Sequence, residues 1–132
     1  MVNDMNKLDF IGAAIHKLTG NIPGAFFFSG KSEYKNLVWN TNLYAGKIPT
    51  ESEVHAECEA LLLAEPKKRL RIHRDRLLTE CDWTQLSDAK LSSSKKNEWI
   101  TYRQLLRDLP ATASPELDSG FVKNVTWPVK PT

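Results

Sequence analysis

Four side chains in this sequence are of the types that bind a transition metal: His55 and Cys58 on one helix face, then His73 and Cys81. Two imidazoles and two thiolates would complete a zinc site. The spacing argues against one. His73 and Cys81 are eight residues apart, about 12 Å along a helix, and all four converge only if the helix folds back at Pro66. The plainer reading is surface histidines and half-buried cysteines, so no metal and no other cofactor is expected. Nucleophilic chemistry has less support still. Neither cysteine has a His–Asp arrangement beside it, and no Gly-x-Ser-x-Gly elbow occurs. The six glycines are too scattered for a phosphate-cradling loop. The carboxylates read as solvated helix charges, and the expectation is a protein that is not an enzyme.

Two other groups have binding chemistry. The run Lys67-Lys68-Arg69-Leu70-Arg71-Ile72-His73-Arg74-Asp75-Arg76 is a basic helix that could grip phosphates by releasing counterions. Leu70 and Leu77 on one face and acidic residues nearby favour instead a solvated face with intramolecular or partner salt bridges. Nucleic acid is therefore not the expected partner. The second group is aromatic. Trp99 and Tyr102 read as core, whereas Trp83 lies in a polar turn, Asp82-Trp83-Thr84. It is either a lid on a helix pair or a docking residue, since tryptophan and arginine are favoured interface anchors. Asp82 reads first as a turn-forming cap.

The elements that must hold these groups follow from periodicity. Leu8, Ile11, Ala14 or Ile15, and Leu18 have helical spacing, and Thr19-Gly20-Asn21 stops that short helix. Gly24 to Phe28 and Tyr34 to Trp39 flank Ser29-Gly30-Lys31-Ser32 and predict a two-stranded β-hairpin. Thr50 and Glu53 form a capping box for a helix running to about Cys81. Acid gathers before Pro66 and base after it, matching the dipole of one long helix kinked at that proline. Two helices joined there would fit nearly as well. Ser92 to Ser94 offer caps for a second helix to Leu109, where Pro110 is expected to end it. Its stripe of Trp99, Tyr102, Leu106 and Leu109 faces Leu70, Leu77 and Cys81, which predicts an antiparallel helical hairpin. The tail is expected to be extended, with one strand-like piece from Val122 to Val129 carrying Trp127.

The fold class is thus α+β, mostly α, in three segments. Residues 1–49 form a small helix and hairpin unit, 50–110 a helical region, and 111–132 a proline-containing tail. At 132 residues, 41% hydrophobic and 26% charged, the chain can bury a modest core. A net charge of +2 does not by itself point to nucleic acid or an anionic membrane. Two cysteines make no disulfide framework, which suits a reducing compartment. Asp4 and Asp9 interrupt any leader-like start, and no apolar run approaches the length of a membrane span. No membrane partner is expected.

Joined motifs then carry a resemblance. Arg74-x-x-Leu77-Leu78-x-x-x-Asp82-Trp83-Thr84-Gln85-Leu86 is followed by Lys95-x-x-x-Trp99-x-x-Tyr102-Arg103-Gln104, Leu106-Arg107-Asp108-Leu109-Pro110 and Asn124-Val125-x-Trp127-Pro128. This half of the chain resembles the C-terminal module of bacteriophage tail (fibre) assembly chaperones. Pro23-Gly24-Ala25, the aromatic strand, Leu37-Val38-Trp39 and Pro49 to Glu53 are similar to the small N-terminal unit of many short phage tail proteins. Cys81 stands where such proteins commonly carry Ser, Thr or Ala, and the linker Ser114 to Lys123 is long.

The resemblance implies assembly rather than catalysis, with a phage tail or tail-fibre protein as the partner and a homo-oligomer left open. It implies a place of action in the host cytoplasm during assembly, or in the virion tail. The candidate contact residues are Trp83 at the tip, Arg76, Arg103 and Arg107 on its flank, and Asp82, Trp39 and Trp127. Two functions remain open on this basis: a transient chaperone that shields a fibre and helps it trimerise or attach, and a structural adaptor that stays between tail and fibre.

Overall fold

Local capping sets the boundaries of most helices in this chain. A computed structural model describes residues 5–132; the first four positions of the leading segment, Asp4 among them, lie outside the described residues. Packing divides the chain into two compact units, one ending at Glu65 and the other comprising Pro66–Thr132. Helix α2 (Glu51–Glu80) contributes residues to both, with Pro66 inside it.

The first unit begins with a 3-10 turn, Lys7–Phe10, capped by the Asn6 side chain. It leads into α1 (Ile11–Thr19), which ends at Gly20 in the left-handed region, φ 85°. Glycine is needed there because a Cβ disfavours that conformation. Strands β1 (Phe26–Phe28) and β2 (Leu37–Trp39) pair antiparallel, Phe27 opposite Val38. The expected hairpin is present, but its second arm is shorter than predicted. Tyr34–Asn36 is a 3-10 turn, and the Tyr34 hydroxyl donates to the carbonyl of Pro49 at 2.7 Å.

One hairpin face carries Phe26, Phe28, Leu37 and Trp39 against buried Ile11, Ala14, Ile15, Val54 and Cys58. The other leaves Phe27 and Val38 exposed, as the period of two requires. The capping box closes as predicted: Glu53 N–H donates to Thr50 Oγ1 at 3.2 Å and Thr50 N–H to Glu53 Oε2 at 2.9 Å.

In the second unit, α3 (Ser93–Thr112) starts where Ser92 Oγ accepts from the Lys95 N–H at 3.1 Å. Pro110 does not end it. The helix runs two residues further and closes with the Ala113 N–H on the Leu109 carbonyl, 2.9 Å. Proline in a last turn forfeits one hydrogen bond without blocking the rest, and Pro110 is buried there. The tail departs further from expectation. No strand spans Val122 to Val129; β3 (Glu116–Asp118) pairs antiparallel with β4 (Phe121–Lys123) instead. Ser119 and Gly120 join them with φ of 50° and 80°, both positive as a type I′ turn demands. Leu117 is buried beneath this hairpin, and the segment after it is extended.

Candidate functional site

The end of α2, the turn after it and the first half of α3 assemble one cluster. Cys81, Trp99, Tyr102 and Leu106 are buried together, with Leu77, Leu78, Leu91 and Trp127 packed around them. The steps of three and four along α3 put its three members on one face. Asp82–Gln85 forms a 3-10 turn across the end, and Thr84 is buried with its hydroxyl donating to the Cys81 carbonyl at 2.7 Å. That bond turns Thr84 inward and leaves Trp83 at the surface.

Trp83 is 50% exposed. Its ring meets Trp99 edge-on with centroids 6.1 Å apart, and Trp99 meets Tyr102 edge-on at 5.8 Å. Edge-to-face contact of this kind is favourable. Part of Trp83 therefore closes the cluster while the rest faces outward.

Arg103 does not lie on an exposed flank. It is 7% exposed, and its guanidinium crosses to the end of α2. Nη1 donates to the Leu78 carbonyl at 2.8 Å and to Cys81 Sγ at 3.1 Å, while Nη2 reaches Asp82 Oδ1 at 2.9 Å. Nε has no partner. Burial by itself would lower the Arg103 pKa, but the hydrogen bonds to Cys81 and Asp82 outweigh it and hold the group above its ordinary value. Asp82 is exposed yet tied to this cation, which fixes the backbone just before Trp83.

The other predicted residues are dispersed. Arg76 and Arg107 are both exposed; the backbone carbonyl of Arg107 accepts from Arg74 Nη1 at 3.4 Å. Trp127 is half-buried and stacks on His73, centroids 4.4 Å apart. Trp39 belongs to the first unit, half-buried between Phe26 at 5.6 Å and Tyr44 at 5.4 Å.

The four metal-type side chains are not gathered either. Among the described residues no group of three or more His, Cys, Asp or Glu side chains could hold a metal ion. Cys81 donates toward the Leu77 and Leu78 carbonyls at 3.3 and 3.4 Å. Cys58 is in the core of the first unit, where burial pushes its thiol pKa up and away from reactivity.

Four surface features lie outside the sequence pattern. Leu86, just after the turn, and Ile100, next to Trp99, are both more than half exposed. Ile72 is 58% exposed within the basic run; its position off the Leu70–Leu77–Cys81 stripe was the available signal. A cleft of about 680 Å³ lies between α3 and the last residues, lined by Thr101, Tyr102, Leu105, Val129 and Pro131.

Among the described residues no helix is long and apolar enough to cross a membrane. No curated protein and no solved structure matches the chain. A family model described as phage tail assembly chaperone protein matches residues 67–132, half of the chain.

Proposed function

The chain belongs to the phage tail assembly chaperone family, and we propose that it serves tail assembly in the host cytoplasm by holding a tail or tail-fibre protein non-covalently until that protein folds, trimerises or attaches. Trp83 is the anchor of this contact. The observation that carries the assignment is the half-exposed Trp83 ring on a turn fixed from beneath by Trp99 and by the Arg103–Asp82 pair. A large ring held in place before binding loses little conformational entropy when it docks. Exposed Arg76 and Arg107 supply charged contacts on the flank, and Arg103 and Asp82 position the tip. The outer edge of the β1–β2 hairpin, with Phe27 exposed beside it, suits pairing with a strand of a β-rich fibre.

Trp83→Ala should reduce capture of a co-expressed tail or fibre protein of the same phage, while leaving the melting temperature within a few degrees. Capture at the unaltered level would remove Trp83 from the interface. Mass spectrometry of purified particles separates this reading from a permanent adaptor: stoichiometric presence in the virion would end the transient one.

A further inference from the structure

We propose that the outward face of α2 from Lys67 to Arg76 is a docking strip for an acidic, leucine-type segment of the tail protein. This inference rests on the chaperone reading above. The strip is what remains of the basic run once its internal bonds are assigned. Arg69 Nη1 donates to the Gly120 carbonyl at 2.7 Å, and Arg74 Nε is paired with Asp75 at 2.6 Å. Lys67, Arg71 and Arg76 are exposed, with no hydrogen bond or ion pair among the described residues. Asp75 is the one acid between Lys67 and Arg76, and it is committed to Arg74.

Ile72 stands in the middle of these cations. Its helix-surface neighbours are Lys68 and Arg76 four residues away and Arg69 and Asp75 three residues away, and Arg71 adjoins it. With 58% of its surface in water, it is an apolar centre among cations, with Asp75 the single acid beside it. From Pro66 onward the chain carries thirteen basic against eight acidic side chains, so the surrounding field reinforces the same sign. The complement is a segment with carboxylates around an apolar residue.

Nucleic acid matches this face less well. A phosphate backbone engages cations alone, and it would cover Ile72 with charged oxygens and gain nothing from it. A protein segment engages both the cations and the isoleucine, and arginine stems can pack along an apolar partner while their heads pair with carboxylates.

The test uses the full-length protein and three labelled probes read by fluorescence anisotropy across salt. One is a helical peptide with Glu and Leu on one face, the second is the same peptide with each Leu changed to Ser, and the third is a DNA duplex. The Glu/Leu peptide should bind tightest and weaken with salt. Arg71→Glu with Arg76→Glu should weaken it about tenfold or more, since each exposed pair is worth up to roughly fivefold and reversal adds repulsion. Ile72→Ser should cost about fivefold for the Glu/Leu peptide and nothing for the Ser peptide. DNA bound as tightly as the Glu/Leu peptide, or variants that bind it unchanged, would overturn the strip.

Capture of the co-expressed tail protein separates the two levels of inference. Normal capture by the α2 variants, alongside loss in Trp83→Ala, overturns the strip and spares the chaperone reading. No capture by the unaltered protein overturns the chaperone reading and the strip's partner with it.

Discussion

Replacing Arg103 separates a residue that builds the tip from one that touches a partner. Arg103→Ala removes the donor to the Leu78 carbonyl, to Cys81 Sγ and to Asp82 Oδ1. The hydrogen bond to Asp82 is charge-assisted, but that carboxylate is 62% exposed, so solvent screening limits it to about 1 kcal/mol. The Leu78 carbonyl keeps the Cys81 N–H at 3.2 Å, and its loss is therefore nearer 1 than 3 kcal/mol. Truncating the buried stem adds roughly 1–2 kcal/mol.

Together these give about 2–4 kcal/mol for Arg103→Ala. Arg103→Met should cost less, about 1–2 kcal/mol, because it keeps the stem and removes the unpartnered Nε. At roughly 3–5 °C per kcal/mol for a chain of this size, the alanine variant should melt about 10 °C lower and the methionine variant about half as far down. The assay is thermal unfolding followed by tryptophan fluorescence, since Trp83 and Trp99 sit beside the altered site. An Arg103→Ala protein with an unchanged melting temperature and lost tail-protein capture would refute this reasoning and make the guanidinium a contact.

Other perturbations test the remaining supports. The Glu53 carboxyl is held below its ordinary value of 4.5, first by the hydrogen bond from Lys47 and then by the Thr50 N–H. Its contribution to stability is complete above that value and is lost as pH falls through the lower folded value. Glu53→Gln should therefore flatten the acid limb of urea midpoint against pH, and parallel limbs would sink the idea; Thr50→Ala should cost about 1 kcal/mol. Gly120→Ala places a Cβ 3.1 Å from Arg69 Nη1 at φ 80°, so about 1–2 kcal/mol should be lost. Gly12→Ala meets nothing within 4 Å and should be neutral or stabilising; similar melting of the two variants would remove the turn argument. Pro66→Ala restores a donor for the Leu62 carbonyl inside α2 and should stabilise by about 1–3 kcal/mol. A fall in melting temperature would show that the fixed proline φ favours a second helix start.

What the sequence made legible was local. Thr50 with Glu53 and Ser92 before Lys95 are caps whose partners lie within three residues, so spacing alone reveals them. The Trp99–Tyr102–Leu106 stripe is legible for the same reason, a regular step on one helix. The burial of Arg103 is not legible from spacing, because nothing local says that acceptors from Leu78 and Asp82 will satisfy a buried cation. His73 against Trp127 is likewise a contact between distant positions. The β3–β4 hairpin left one signal, Asp118-Ser119-Gly120, but three-residue strands are too short for alternation to register. Pro110 misled because a proline near a helix end is a weak stop when its own ring can be buried.

On the reading proposed above, the magnitude of the contacts on offer suits a partner that is later released. About half of the Trp83 ring is available, roughly 100 Å² and about 2.5 kcal/mol if fully covered. Lys67, Arg71 and Arg76 as exposed pairs add about 0.2–1 kcal/mol each. Ile72 and Leu86 supply another 1–2 kcal/mol between them. Even before the several kcal/mol that association costs in lost freedom, that sum of about 4–7 kcal/mol spans only the millimolar to micromolar range, so these side chains alone give a weak, salt-sensitive and fast-dissociating grip. A permanent tail component needs a larger and more apolar interface than these side chains present. A chaperone needs the opposite, a grip firm enough to cover a surface during assembly and weak enough for the finished tail to displace it.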